Sequence, residues 1–192
     1  DLDDQLGGAY IALDDGSAGE WNNHARALSW GAQQGTTHVL CIEDDALPVP
    51  DLLHEADKAV EAWPDGCISL YVGTGRPRQH AVLNAIRQAD AIGSTWLECD
   101  SLLWGVAFIM PTFDIAPMLA WARNSQLPTD QRIGAWYRSQ RREVRYTWPS
   151  LVNHADIPSV IPGRPRPEQR VAHAVGTVHE YTGVPQLIVR YH

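Results

Sequence analysis

Residues 38–45, with the sequence HVLCIEDD, decide the fold. The first five are mostly apolar or branched and are too few for a helix, so they predict a buried strand. Three carboxylates, Glu43, Asp44 and Asp45, follow at its C-terminal end, and two prolines then break the chain. Ligands of open α/β sheets bind outside the carboxyl ends of the strands. The stretch therefore predicts a sheet with an acidic site at this strand end.

Outward from this stretch, short apolar runs alternate with segments of helical periodicity. The apolar runs predict strands at 8–13, 67–72, 103–110 and 144–148, with an extended stretch near 94–97. Helical spacing predicts helices at about 20–34, 52–63 and 80–90, and another that starts at Thr129. This alternation predicts an α/β fold with a mixed, mainly parallel central sheet and a loop-rich C-terminal part. We expect one catalytic domain over 1–160, with a Pro/Arg-rich extension over 161–192 packing on it.

Length and composition exclude several classes of protein. A chain of 192 residues with 44% apolar content suits one globular domain. No apolar run approaches the roughly 20 residues of a membrane helix, and no signal peptide opens the chain. The three cysteines, Cys41, Cys67 and Cys99, lack the spacing of a zinc motif and predict reduced thiols. These features predict a cytoplasmic protein without membrane partners.

The net charge of -8 conceals two parts of opposite charge. Residues 1–122 carry 18 acidic and 5 basic side chains, whereas residues 123–170 carry 9 arginines and 4 acids. The second part predicts a basic surface suited to phosphates or another polyanion. A solvated arginine-rich face is the alternative.

The acidic strand ends predict a bound cation. Asp14 and Asp15 follow one predicted strand, and Glu43, Asp44 and Asp45 follow another. Several carboxylates in one site repel each other unless a cation neutralises them. Mg2+ or Mn2+ takes oxygen ligands from one or two carboxylates together with substrate phosphates. The alternative is a solvated acidic turn before a proline.

Five ordered segments carry a resemblance to a known family. They are residues 38–51, the Asp14–Gly16 turn with Asn23 and His24, and residues 71–77, 103–107 and 146–154. Together they resemble GT-A glycosyltransferases, most closely the family-25-like group with its Glu-Asp-Asp motif and the glycosyltransferases of actinobacterial bacteriophages. The resemblance extends over about residues 7–160 and implies a GT-A-like, Rossmann-like domain. For a phage protein the compartment is the cytoplasm of the host cell.

The resemblance implies a role for each matching residue on the donor side. Asp45 and His154 would coordinate Mn2+ or Mg2+, with Glu43 beside them. A nucleotide-sugar donor, most simply a UDP-sugar, would contact Asp14, Asp15, Asn23, His24, Asp44 and Arg76. Neutral imidazole favours Mn2+ over Mg2+. For His154, a plain loop histidine is the alternative.

On the acceptor side, Asp130 is the candidate base that takes the proton of the acceptor hydroxyl in an inverting transfer. An aspartate in a first helical turn is also favoured by the helix dipole alone. Trp104 and Gly105 lie where related enzymes bind a sugar, although a tryptophan is as easily explained by the core. Arg138 and Arg142 are candidate contacts to an anionic acceptor. Arg76 lies in a glycine-rich loop without the spacing of a P-loop or a dinucleotide fingerprint.

The predicted function is therefore metal-dependent transfer of a sugar from a nucleotide donor to a hydroxyl. Two acceptors compete: a hydroxylated base of phage DNA, favoured slightly by the basic region, and a serine or threonine of a virion protein. Two alternatives belong to other classes, namely a non-catalytic nucleotide- or sugar-binding module and a nucleotidyl- or phosphotransferase. Related enzymes begin with a strand and helix that would precede residue 7, so we expect the first strand of the fold to be missing.

Overall fold

The computed structural model of the chain describes residues 2–14, 16–17, 19–75, 77–155 and 169–191. The predictions made for Asp15 and Arg76 lie outside these residues. The helices are α1 (Leu2–Leu6), α2 (Glu20–Gly31), α3 (Leu52–Ala62), α4 (Gln79–Ile92), α5 (Thr112–Ala122) and α6 (Thr129–Ser139). The strands are β1 (His38–Ile42), β2 (Ala46–Pro48), β3 (Ile68–Ser69), β4 (Trp96–Cys99), β5 (Ala107–Pro111), β6 (Val144–Thr147), β7 (Val152–His154) and β8 (Gln186–Leu187).

A six-stranded sheet with the order β1-β5-β3-β6-β4-β8 forms the centre of the protein. The prediction of an α/β fold with a mixed sheet is confirmed. The prediction that the sheet is mainly parallel is wrong, because only the β3–β6 and β4–β8 pairs are parallel and the other neighbouring pairs are antiparallel. The position of β4 explains part of this difference. α4 leads from the end of β3 to β4, and β4 starts at the same edge of the sheet, because its first residue, Trp96, pairs with Thr147 at the end of β6. β4 therefore runs antiparallel to β6.

The strand predicted at residues 8–13 is also wrong. The segment is extended but lies on α2, where Asn23 Nδ2 donates to the carbonyl oxygen of Ala12 at 2.7 Å and Arg26 donates to that of Leu13. Side chains therefore take the acceptors that a strand ladder would need. Ile11 and Leu13 remain 61% and 76% exposed, so this apolar run contributes little to the core.

Helices pack on the sheet and bury a continuous apolar core. The largest fully buried side chains include Tyr71, Phe108, Tyr137 and Tyr146. α5 was not predicted, because its sequence is apolar all round and contains Pro117, which normally interrupts a helix. In the part of the chain that the structure describes, no helix is long and apolar enough to cross a membrane.

The C-terminal segment 169–191 lies against the sheet. β8 extends the sheet by pairing with β4, and isolated bridges join Gly73 to Ala172 and Ser150 to Val175. β8 has two residues, in keeping with the predicted loop-rich C-terminal part. Its path brings residues 169–173 beside the loop that follows β3 and beside β7.

Candidate metal centre

β1 delivers Glu43 to one edge of the sheet. Ile42 pairs with Ala107, and the backbone N–H of Glu43 then donates to the carbonyl of Val106 at 2.9 Å. The antiparallel register therefore fixes Glu43 next to Gly105, which precedes β5. Because β1, β3 and β6 run in the same direction, their C-terminal ends lie at this edge together.

A second, two-stranded sheet brings His154 to the acidic strand end. β2 pairs with β7 in antiparallel register, with Ala46 opposite His154, and Ala155 N–H donates to the carbonyl of Asp45 at 2.9 Å. Nε2 of His154 lies 3.2 Å from Oδ2 of Asp45. Neither β2 nor β7 was predicted from the sequence, although the pairing of these strands is what holds the two side chains together.

Glu43, Asp45 and His154 form the candidate metal centre. One ligand atom from each residue lies within 4.8 Å of the others. Ligand atoms held at about 2.1 Å on opposite sides of Mg2+ are about 4.2 Å apart, so a small contraction suffices to bind an ion. Among the described residues, no hydrogen-bond partner reaches the buried Oδ1 of Asp45. Two carboxylates and an imidazole suit Mn2+ better than Mg2+, and the donor set fits the predicted cofactor.

The electrostatics of Glu43 also indicate a site for a positive charge. Burial and the nearby carboxylates of Asp45, Glu20 and Asp130 raise the pKa of Glu43 to about 7, although Arg170 lowers it. An acid surrounded by like charges ionises readily only when a cation compensates them. Glu20, at the start of α2, is thus part of the acidic surroundings and was not predicted from the sequence.

Asp130 and Glu43 both lie beside Gly105. The point that a Cβ on Gly105 would occupy is 3.4 Å from Oε1 of Glu43 and 3.9 Å from Cβ of Asp130. Asp130 stands in the first turn of α6, where its Oδ1 accepts the N–H of Gln131 at 2.7 Å. The structure thus brings the candidate base close to the metal centre, and a side chain at Gly105 would contact both carboxylate residues.

Arg170 is a residue near the centre that the sequence did not single out. Thr74 Oγ1 donates to the carbonyls of Gln169 and Val171, at 2.9 and 3.0 Å. These bonds hold the 169–171 segment on the loop after β3. Arg170 then lies close enough for its charge to lower the pKa of Glu43. The only sequence signal was its membership of the arginine-rich region.

Trp104 supports the centre from within the core. It is 8% exposed and makes edge contacts with the rings of Tyr71 and Tyr146, with centroids 5.9 and 6.0 Å apart. Tyr71 in turn lies 6.4 Å from the ring of His154. Trp104 therefore packs among the rings of the core, as the alternative interpretation expects, and its predicted contact with a sugar stays a prediction. Gly105 lies beside the carboxylates.

The predicted donor-binding residues are arranged around α2 and the acidic turn. Asp44 is exposed in the turn between Glu43 and Asp45. Asp14 is exposed and its Oδ1 accepts the N–H of Gly16 at 2.9 Å. Asn23 is engaged with Ala12, and Nδ1 of His24 lies 3.1 Å from the carbonyl oxygen of Glu20. Asn23 therefore has a structural role that the sequence did not suggest.

The predicted acceptor arginines lie at the far end of α6 from Asp130. Eight residues separate Asp130 from Arg138, which is about 12 Å along a helix axis. Arg142 donates to Asp114 Oδ1 at 2.6 Å and also to the carbonyl of Asp65. The structure thus does not bring Arg138 and Arg142 to the carboxylates, and it uses Arg142 to anchor α5.

Comparison with known proteins adds no assignment. No protein-family model matches the chain, and no curated protein matches it significantly. Fold and site geometry are therefore the basis for a functional proposal.

Proposed function

We propose that this protein is a metal-dependent glycosyltransferase of the GT-A type that moves a sugar from a nucleotide donor to a hydroxyl group. One observation carries the proposal: Glu43, Asp45 and His154 come together at a sheet edge, with Asp130 beside Gly105 and close to Glu43. A donor set of two carboxylates and one imidazole leaves coordination positions for the oxygens of a diphosphate. The resemblance in sequence favours a UDP-sugar as the donor.

Different residues of the site would perform different tasks in the reaction. A cation held by Asp45, Glu43 and His154 would stabilise the negative charge on the departing nucleoside diphosphate. Asp130 would accept the proton of the acceptor hydroxyl while the oxygen of that hydroxyl attacks the anomeric carbon of the donor sugar. The bond from the anomeric carbon to the phosphate oxygen would break at the same time. Arg170, on the segment that Thr74 binds, would contribute positive charge near a phosphate of the donor. The outcome is inversion at the anomeric carbon.

The acceptor is proposed to be a hydroxylated base, such as a hydroxymethyl base, in phage DNA. Support comes from a depression of about 400 Å3 lined by Arg138, Arg141, Arg142 and Arg190, together with Asp100 and Glu143. Arg190 there pairs with Glu143 at 3.3 Å. A base within a duplex reaches an active site only after flipping or in single-stranded DNA. The serine or threonine of a virion protein is the second acceptor class, which requires no basic surface.

Hydrolysis of nucleotide sugars in the absence of an acceptor tests the proposal directly. Wild-type protein with Mn2+ is screened against UDP-, GDP-, TDP- and CMP-linked sugars for release of the nucleotide. The matched variants are Asp45→Asn, in the centre, and Asp57→Asn, which removes the charge of an exposed carboxylate on α3. We expect Asp45→Asn to lose at least about 100-fold in rate, as expected for loss of charge stabilisation at the reacting centre. Asp57→Asn should retain the wild-type rate.

The other function classes give different results in the same screen. A non-catalytic module binds a nucleotide with Mn2+ and releases nothing. A nucleotidyl- or phosphotransferase releases pyrophosphate or transfers a phosphate from a nucleoside triphosphate. The glycosyltransferase proposal fails if no nucleotide sugar is hydrolysed or if Asp45→Asn hydrolyses it at the wild-type rate.

A further inference from the structure

A cleft between the starts of α2 and α6 lies next to the candidate metal centre. It has a volume of about 280 Å3 and is lined by Glu20, Trp21, Gln126, Leu127, Pro128, Thr129 and Arg132. That volume corresponds to roughly nine water molecules at about 30 Å3 each. The cleft is therefore sized for one ring, and it is smaller than the usual range for a whole drug-sized ligand.

Thr129 is the observation that points to a ligand. Its side chain is 2% exposed, it lines the cleft, and no hydrogen-bond partner for its Oγ1 lies among the described residues. A threonine at the start of a helix usually caps backbone N–H groups, but within the described part of the chain no side-chain cap is formed at α6. A buried hydroxyl without a partner is unfavourable unless a ligand or water bonds to it.

Trp21 and Arg132 form one wall of the cleft. The guanidinium carbon of Arg132 lies 4.5 Å from the ring centroid of Trp21, so Arg132 covers one face of the indole. Arg132 is 9% exposed, and its Nε donates to the carbonyl of Leu127. The contacts hold a partly exposed indole in a fixed position. A fixed indole with nearby Glu20 and Gln126 can stack on a ring and hydrogen-bond to its hydroxyl or amine groups.

The position of the cleft beside the candidate base indicates which substrate would bind there. Thr129 directly precedes Asp130, and Glu20 raises the pKa of Glu43, so both ends of the cleft border the candidate centre. A ring in the cleft therefore lies on the side of the candidate base. We propose that the cleft binds the hydroxyl-bearing ring of the acceptor, with stacking on Trp21 and a hydrogen bond to Thr129 Oγ1. This inference rests on the proposed glycosyltransferase function, because the ring is an acceptor only if the protein transfers a sugar.

Direct binding of small probes tests the proposal without the need for activity. The probes are 5-hydroxymethyl-2′-deoxycytidine and methyl β-D-glucopyranoside for the acceptor, and uridine monophosphate for the donor, each titrated in Mg2+ by ligand-observed NMR. The variants are Trp21→Ala and Thr129→Val. Their matched controls are Trp30→Ala, at an exposed tryptophan of the same helix, and Thr182→Val, at an exposed threonine. Thermal melting verifies that each variant is folded.

We expect at least one acceptor probe to bind, with a dissociation constant about tenfold higher in Trp21→Ala because ring stacking is lost. Thr129→Val should weaken the same probe about three- to tenfold through the lost hydrogen bond. Both controls, and uridine monophosphate in all variants, should keep wild-type affinity. The proposal is overturned if no acceptor probe binds, if the variants leave its affinity unchanged, or if they weaken uridine monophosphate instead.

The two proposals fail separately. If wild-type protein hydrolyses a nucleotide sugar but Trp21→Ala binds the acceptor probes normally, the metal centre stands and the cleft is not the acceptor subsite. If no nucleotide sugar is hydrolysed but a probe binds in a manner sensitive to Trp21 and Thr129, the cleft is a ring-binding site and the transferase proposal is wrong.

Discussion

At the scale of single residues, Glu43 contributes to the pH dependence of stability in the metal-free protein. Its pKa is raised from 4.5 to about 7, so between these values the folded state holds a proton that the unfolded chain has lost. The free energy of unfolding must then fall as pH rises through this window, by about 1–3 kcal/mol. Urea denaturation in EDTA from pH 4.5 to 8 measures this fall. Glu43→Gln should reduce it, and an unchanged pH profile in that variant would contradict the assignment.

Substitution of two glycines by alanine should have different effects, because Gly105 lies at the candidate site and Gly134 lies in the core. A Cβ on Gly105 would make ordinary contact with Glu43 at 3.4 Å, whereas on Gly134 it would lie 2.4 Å from Leu102 N and Ser101 Oγ. We expect Gly105→Ala to melt close to wild type but to hydrolyse donor at least about tenfold more slowly, since the methyl group fills substrate space. Gly134→Ala should lose about 2 kcal/mol or more of stability through overpacking. Thermal melting and the hydrolysis assay distinguish the two.

A site residue could be located from the sequence when it lies at the end of an element that the sequence pattern identifies. Asp45 and Glu43 follow a strand that apolar periodicity identifies, so their location at a sheet edge could be predicted. His154 came from the resemblance in sequence, because nothing in periodicity predicted the β2–β7 pairing that positions it. Arg170, Glu20 and Thr129 reach the site only through tertiary packing, and no local signal marked them.

At the scale of elements, an ion pair between the buried Asp114 and the partly exposed Arg142 joins α5 to the segment after α6. Asp114 is 3% exposed, accepts Tyr137 Oη–H at 2.7 Å and pairs with Arg142 at 2.6 Å. Asp114→Ala leaves Tyr137 without its acceptor and Arg142 without its ion-pair partner, although Arg142 keeps its bond to the carbonyl of Asp65, and we expect a loss of about 2–4 kcal/mol. Tyr137→Phe keeps the ion pair and should cost only about 1 kcal/mol. Denaturant titration of both variants measures the difference, and equal losses would contradict this division.

The elements that could be predicted are those with clear periodicity. α2, α3 and α4 lie close to their predicted positions, because their apolar residues recur at the spacing of one buried face. β1 also lies where its apolar run predicted a strand, but the prediction that it is buried is wrong, because its five residues are only partly buried at the edge of the sheet. α5 was missed because it has no polar face and contains Pro117. The strand at 8–13 was predicted from its apolar run alone. Its hydrogen bonds to Asn23 and Arg26 could not be foreseen, because they depend on where α2 packs.

At the scale of the whole molecule, strand direction separates two chemically different edges. The ends of β1, β3 and β6 carry the candidate metal centre, whereas Asp100 after β4 and Glu143 before β6 lie at the opposite edge. The arginine-lined depression belongs to this second edge. The sequence predicted both the acidic and the basic region. It could not predict their separation, because that follows from the mixed strand directions.

This separation gives a test of the DNA acceptor. If the second edge anchors a duplex, its arginines neutralise phosphates far from the chemistry, and binding must weaken with added salt. Binding of a 20-base-pair duplex is measured by fluorescence anisotropy between about 50 and 200 mM KCl. The double variant Arg138→Ala/Arg141→Ala removes two arginines that line the depression and leaves Arg142 in its ion pair with Asp114.

Each phosphate contact contributes about 0.9 to the slope of log K against log salt, so the double variant should reduce the slope by about two. The matched control is Arg87→Ala/Arg123→Ala, which removes the same charge from two exposed arginines outside the depression. Equal slopes for the two double variants would mean that net charge alone, and not the second edge, attracts DNA. A salt-insensitive wild type would instead favour the serine or threonine of a virion protein, because such an acceptor has no phosphates for these arginines to neutralise.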